Sequence, residues 1–263
     1  MRKDNLGDRM KSYENITRTY LPGRMPIIIR IDGKAFHTFT RGFQKPFDEV
    51  LIKSMQNTMK YLCENIQGCV LGYTQSDEIT LILVDYKKLN SDAWFDYEIQ
   101  KICSIAASMA TMAFNREFRK AVDEDPTVSN VRYNWYVAKI NGGAMFDARC
   151  FNIPKEEVTN LIYWRQLDAT RNSIQMVGQA NFSHKELQNK TCNMIQDMLM
   201  TQKGINWNDF PTHQKRGSCC IKNHDYDEYG IDWGEGWRID TEIPIFKGEG
   251  REYIERLIQP EEE

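Results

Sequence analysis

Apolar positions along this chain fall either in short unbroken β-favouring runs or at a spacing near 3.6, and the switches between the two mark its elements. Residues 25–31, MPIIIRI, form a β-favouring apolar run, and Asp48 then reads as an N-cap for the helical pattern Val50, Leu51, Met55, Met59 and Leu62. CVLGY at 69–73 and ITLILVDY at 79–86 predict two strands joined by the polar turn TQSDE. A long helix is expected over about 95–120, with Ala106, Ala107 and Ala110 permitting close approach to a sheet, and AMFDARCFNI supplies another strand. The order is βαββαβ, an α+β, ferredoxin-like plan. Helices near 155–179 and 184–202 follow, the second opening at the capping-box pattern SHKE. CCIKN and IDTEIPIF suggest further strands, so the plan carries a C-terminal helical and β extension. The polar stretch DEDPTVSN at 123–130 and the tail PEEE are the clear breaks, and they divide the chain into halves 1–135 and 136–263.

In this plan the first and third strands are antiparallel neighbours at the centre of the sheet. The end of one lies beside the start of the other, which brings Asp32 and Asp77 together across 45 residues of sequence. Neighbouring strands are only about 4.8 Å apart. Two acids that close need a cation, and Mg²⁺ suits them: it takes one or two carboxylates, waters and substrate phosphates. Gly33 lacks the Cβ that would keep a metal or phosphate away from its backbone. Lys34 and His37 are placed to bind phosphates. Glu78, expected to point to the opposite face from Asp77, is the weaker ligand candidate. Asp-Gly and Ser-Asp-Glu are also ordinary turn chemistry. A plain turn, however, has no need for Lys34, His37 and Ser76 to converge on the same edge.

Composition narrows the setting. No apolar run approaches the roughly 18 residues of a membrane span, and the charged N-terminus lacks the apolar core of a signal peptide, so a cytoplasmic location is expected. Seven cysteines without a CxxC pair read as reduced thiols. A net charge of −3 argues against indiscriminate polyanion binding but leaves room for a local basic face. His213, Cys219, Cys220 and His224 match no regular zinc spacing and read as structural. Most of Trp135, Trp164, Trp207, Trp233 and Trp237 read as packing residues, while an exposed one could stack on an unpaired base.

Two motifs carry a specific resemblance. RIDGKAFHTF resembles the R-[LI]-D-G-x-x-F-H-x-F of the tRNA(His) guanylyltransferases and their Thg1-like relatives, which are 3′–5′ nucleotidyltransferases, and GYTQSDE resembles their Y-x-Q-S-D-E. FQKPFDE, FDAR and YWRQLDATRNS are similar to further segments of that family in the same order. The resemblance implies a polymerase-type palm domain in 1–135. It implies a second half, 136–263, that completes the palm sheet and adds helices and short strands for RNA binding or oligomerisation. It further implies that Asp32, the Gly33 carbonyl and Asp77 bind two Mg²⁺ ions, with Asp32 and Asp77 catalytic. Asp32, Gly33, Lys34, Ala35, Phe36, His37, Ser76 and Asp77 would contact GTP, ATP or another nucleoside triphosphate, while Arg30, Lys45 and Lys101 supply further charge towards its phosphates. The implied partner is tRNA, the implied assembly a homotetramer. Residues 214–217 with Arg165 and Arg171 are candidates to line the RNA.

The family's chemistry activates an RNA 5′ end, which the 3′-hydroxyl of an incoming nucleotide then attacks. Thr170 stands where the eukaryotic guanylyltransferases carry the His of a His-Ile-Asn-Asn motif, and Phe47 replaces an Asn. The first departure is shared with the Thg1-like branch and points to template-dependent repair of 5′-truncated tRNA. The alternatives are G addition at position −1 of tRNA(His) and a non-catalytic RNA-binding module of ferredoxin-like fold. A diguanylate-type cyclase uses a similar palm, but its Gly-Gly-(Asp/Glu)-Glu-Phe hairpin is missing.

Overall fold

The computed structural model describes residues 5–126, 129–226 and 232–259. Along the chain run α1 (Asn5–Asn15), β1 (Ile27–Gly33), α2 (Phe36–Phe39), α3 (Glu49–Asn65), β2 (Cys69–Gln75), β3 (Glu78–Leu83), α4 (Ile99–Glu124), α5 (Asn130–Gly142) and β4 (Phe146–Asn152). They are followed by α6 (Val158–Asn181), α7 (His184–Leu187), α8 (Cys192–Lys203), α9 (Thr212–Arg216), β5 (Ser218–Tyr226), β6 (Asp232–Asp240) and α10 (Glu252–Glu255). The strands form one antiparallel sheet in the order β4-β1-β3-β2-β5-β6. Its first four members have the ferredoxin-like arrangement that the pattern predicts, and the β5–β6 hairpin widens it beyond β2.

Both faces of the sheet are covered, which is why β1 reads as an unbroken apolar run instead of an alternating one. Ile27, Ile29 and Ile31 join Ile79, Leu81 and Leu83 in the core under α3 and α4. Ile28, Ile82, Leu71 and Tyr73 pack on the other side with Val158 and Ile162 of α6 and Ile254 of α10. Cys219 belongs to the second core and Cys220 to the first, so these neighbours leave opposite faces of β5. The side chains of His224 and Trp233 lie outside the described residues, as does the PEEE tail. A third cluster joins Phe47 to Ile174, Val177, Leu199 and Trp207. Phe47 stacks edge-on against Phe210 at 5.5 Å, which gives a packing reason for an apolar residue at this position.

The N-cap at Asp48 forms as its sequence implies: its carboxylate accepts from the Leu51 N–H, and also from the Gln44 N–H and the Tyr136 hydroxyl. Several expected elements need correction. The helix placed over 95–120 starts at Ile99, because Phe95, Asp96 and Tyr97 have φ near +50 to +60° and make a separate turn. The capping box at Ser183 and Glu186 is present, yet its helix lasts one turn: Asn189 turns left-handed and Thr191 caps α8 afresh. Of IDTEIPIF only Ile239 and Asp240 are in a strand; Asp240 accepts from the Glu242 N–H, and Ile243 and Phe246 enter the second core from irregular chain around Pro244. Besides the short α2, α9 and α10, two longer helices have no counterpart in the pattern: α1, which buries no residue, and α5, whose body includes position 135.

Candidate functional site

The register of the three strands β3, β1 and β4 orders the side chains of one face into rows. Residues directly opposite each other in a ladder share a face. Ile82, Ile28 and Phe151 make an apolar row; Thr80, Arg30 and Arg149 follow two residues along; Glu78, Asp32 and Asp147 make an acidic row at the sheet edge. Asp77 lies in the β2–β3 turn beside this last row. Its backbone carbonyl accepts from the Gly33 N–H at 3.1 Å, which ties the tip of β1 to the turn. Ser76, with φ +55°, donates from its hydroxyl to the Asp77 carboxylate at 3.0 Å.

Burial pushes the Asp77 carboxyl up to about 6, and the charges of Asp32 and Glu78 push it the same way. Glu78 departs from the expectation: it pairs with Asp32 across the ladder and so lies on the Asp32 face. Its carboxylate is held by Arg30 at 3.3 Å and by the buried Arg165 of α6. Arg165 also binds Asp168 at 3.2 Å, and Asp168 in turn binds Arg171. Arg165 is therefore buried and committed to acids of its own chain instead of lining an open RNA surface, whereas Arg171, though paired with Asp168, is largely exposed. Lys215 is likewise buried, donating to the Asn208 carbonyl, and Gln214 donates to Glu49.

Most of the other predicted residues meet at the same edge. Gly33 is required on packing grounds, since a Cβ would approach the Phe36 ring to 2.2 Å. Its amide is held by Asp77, so only its carbonyl remains as a possible ligand. The Lys34 amide is likewise bonded, to Met145 at 2.8 Å. Ala35 turns the chain with φ +56° into α2, whose first amides have no carbonyl of their own helix to bind. Phe36 turns its ring into the core against Phe39, Phe114 and Phe146, leaving only its backbone to meet a nucleotide. Lys34 and His37 are exposed, as is Lys45 in the loop that leads to α3. Lys101 is not brought to this edge. Thr111, midway along α4, meets the site edge by accepting from the N–H of Phe146, the partner of Gly33, and Lys101 is ten residues earlier, about 15 Å along the axis. Its ammonium stands over Phe95 instead, 5.7 Å from the ring.

Beside Lys34 opens a cavity of about 360 Å³, lined by Ala35, Thr38, Phe39, Lys139 and Met145 among others. Its size is in the range of small-molecule sites. Lys139, which the motifs do not reveal, donates to the Thr38 carbonyl at 3.0 Å. It comes from α5, an element the pattern missed.

Among the described residues no three His, Cys, Asp or Glu side chains close into a metal-ligand set. Two carboxylates and a backbone carbonyl are nevertheless a hard-oxygen donor set, and Mg²⁺ keeps several waters and takes phosphates. Asp77 is a largely buried carboxyl beside Asp32 and Glu78, whose ionised form a cation would favour, so the residues fit such an ion. A pH test follows. In the unfolded chain Asp77 ionises near 3.8, and in the folded chain near 6. The folded state therefore binds the proton more tightly. Its penalty for ionising Asp77 is absent below the unfolded pKa and grows as pH rises through about 6. Thermal melts at pH 8 are expected to show a stabilisation by Mg²⁺ that shrinks at pH 5 and is lost in Asp77→Asn. An equal Mg²⁺ shift in the variant would reject Asp77 as a ligand.

A single antiparallel palm-like sheet with acids at the tips of its central strands is an architecture shared by nucleotidyltransferases and nucleotide cyclases. A family model described as tRNAHis guanylyltransferase (Thg1) matches residues 7–154. The tRNA(His) guanylyltransferase of Saccharomyces cerevisiae is 28% identical over 210 residues, 74% of this chain and 82% of that protein. The structure of a bacterial tRNA(His) guanylyltransferase (Thg1)-like protein in complex with ATP is 45% identical, with a TM-score of 0.83, and covers 97% of this chain and 99% of that one. A complex with GTP is 43% identical, with a TM-score of 0.77 and the same coverage. The chain belongs to the Thg1 family and is a nucleotidyltransferase.

Proposed function

We propose that this enzyme adds nucleotides to the 5′ end of tRNA in the 3′–5′ direction, under the direction of the opposing strand, and so repairs 5′-truncated tRNAs. The observation that carries the template-dependent form is at Thr170. Its hydroxyl donates to the Gln166 carbonyl of its own helix at 2.9 Å, and the Asn172 amide donates to Asp168 at 3.5 Å. A G added without a complementary base needs protein groups that recognise one tRNA, and here the half-buried Thr170 and Asn172 spend their donors on groups of their own helix. Where a base pair holds the incoming nucleotide, the protein needs only shape and backbone contacts. The greater likeness to a bacterial Thg1-like protein than to the yeast guanylyltransferase supports the same reading.

Asp32, Asp77 and the Gly33 carbonyl would hold two Mg²⁺ ions, which supply activation of the attacking hydroxyl and charge for the triphosphate. Lys34 and His37 bind the phosphates of GTP, ATP or another triphosphate, with Ser76 beside them. Lys139 and the cavity next to Lys34 position the rest of the nucleotide. Arg30 and Arg165 fix Glu78 and keep the edge from collapsing into unpaired acid. Lys101 reaches a nucleotide only from a neighbouring subunit, in keeping with a homotetramer. The exposed Leu6, Met10 and Tyr13 of α1 favour such an assembly. As a tRNA-processing enzyme it would work in the cytoplasm; among the described residues no helix is long and apolar enough to cross a membrane.

The test compares several tRNAs lacking their first nucleotide with full-length tRNA(His) carrying an unpaired position opposite the added residue. Addition of whichever nucleotide restores a Watson–Crick pair, with little preference among species, is expected. Efficient addition confined to tRNA(His), whatever the opposing base, would overturn the repair reading in favour of a dedicated guanylyltransferase.

A further inference from the structure

At the end of the sheet away from Asp32, β2 carries a bulge. Cys69 pairs with Leu83 and Leu71 with Ile82, so Val70 is the additional residue. Gly68 precedes it with φ +78°, and its carbonyl accepts from the Val84 N–H at 2.8 Å. A side chain at Gly68 would press on the Val84 carbonyl, 3.1 Å from the position of its Cβ. Around this irregularity opens a cavity of about 320 Å³. Lys87 and Lys88 reach it from the segment after β3, Lys222 from β5, and Ser91 adds a hydroxyl. None of the described residues that line it is acidic. The Lys222 ammonium stands over an aromatic face, 5.7 Å from the Trp237 ring.

In a chain of net charge −3, Lys87 and Lys222 bring cations from two separate segments to one cavity, beside Lys88, which is itself engaged within the chain. A protein acidic overall that handles a polyanion must concentrate its cations where the polyanion lies. From Glu78 to Leu83, β3 takes five steps, which separates this cavity from the acidic row by about 17 Å. That span is too long for one nucleotide and short for an RNA stem.

We propose that this cavity receives a backbone phosphate of the RNA, as a second anchor for a stem whose 5′ end lies at Asp32 and Asp77. The inference rests on the reading of the chain as an RNA-modifying enzyme. Lysine binds phosphate as a point charge without fixed geometry. The Ser91 oxygen accepts from the Lys88 N–H at 3.3 Å and keeps its own hydrogen to donate. Phosphate contacts fix orientation and carry no sequence information. An anchor of this kind holds many tRNAs equally, as an enzyme whose choice of nucleotide is made by base pairing requires.

The experiment measures binding of a 5′-truncated tRNA transcript by the full chain between about 50 and 200 mM salt, where each phosphate contact contributes a slope of roughly 0.7 to 0.9 in log K against log salt. Wild type is compared with the double variants Lys87→Ala/Lys222→Ala and Lys87→Arg/Lys222→Arg, and GTP binding is measured alongside. The alanine pair is expected to lower the slope by between about 0.7 and 1.8 and to weaken RNA binding roughly five- to fiftyfold near 0.1 M salt. GTP affinity should stay unchanged and the arginine pair should restore RNA binding. An alanine pair that binds RNA with the wild-type slope and affinity overturns the anchor alone. So does a loss that arginine fails to restore. A wild-type chain without salt-dependent RNA binding would instead bring down the RNA-substrate reading itself.

Discussion

Asp32→Asn is expected to lower nucleotide addition by 10³-fold or more while the protein melts within about 2 °C of wild type. The loss corresponds to at least about 4 kcal/mol at the transition state. It is that large because the substitution removes a full negative charge from the proposed metal site, whose donors would be only two carboxylates and one carbonyl. The fold should survive because Asp32 is only half-buried, and its backbone is paired with Glu78 on one side and Asp147 on the other, pairings an asparagine keeps. The two measurements are a single-turnover rate of addition to a 5′-truncated tRNA and a thermal melt. Near-normal turnover in a folded Asp32→Asn protein would sink the two-metal reading, whatever tRNA is used.

The largest expected effect on stability comes from Phe36. Its ring is 4% exposed and lies 5.0 to 5.5 Å from the rings of Phe39, Phe114 and Phe146. It also fills the space that glycine leaves at position 33. Phe36→Ala should cost about 3–5 kcal/mol through lost burial and the cavity left behind, on the order of 10 °C in melting temperature for a chain of this size. The same ring anchors α2, which carries His37, and the turn before it, which carries Lys34. The surviving folded enzyme should therefore show at least a tenfold higher KM for nucleotide. Phe36→Leu, which keeps most of the volume, should recover most of the stability. A melting temperature lowered by less than about 3 °C in the alanine variant would show that the aromatic cluster does not hold this turn.

The palm was legible because its strands are apolar on both faces and its helices carry long apolar stripes, so each element announced its own period. Asp32 and Asp77 could be placed together from strand order alone. The direction of Glu78 could not, since it depends on whether β3 starts before or after that residue, a one-residue question that inverts a side chain. Phe36 looked like part of a nucleotide motif because the sequence does not tell which residues of a turn face inward. Arg165 looked like RNA-facing charge because its acid, Glu78, is 87 residues away. Lys139 was invisible for a related reason: α5 buries little besides Tyr136 and so has no apolar stripe, yet it carries the lysine that reaches Thr38. Lys101 matched a motif by position in the chain, while the run of α4 carries it away from the edge.

The pairing of Asp32 with Glu78, and of Gly33 with the Asp77 carbonyl, divides the chain into lengths that descent can alter and lengths it cannot. Between Lys34 and Ser76 the protein could gain or lose residues in its loops without moving either acid, because the ladder and not the contour of the chain sets their separation. Within residues 27–32 a single insertion would send Asp32 under α3 and α4 and lift Ile31 to the edge. Across distant lineages the intervals between motifs are therefore free to drift, while the strand that ends in Asp-Gly has to be inherited at fixed length.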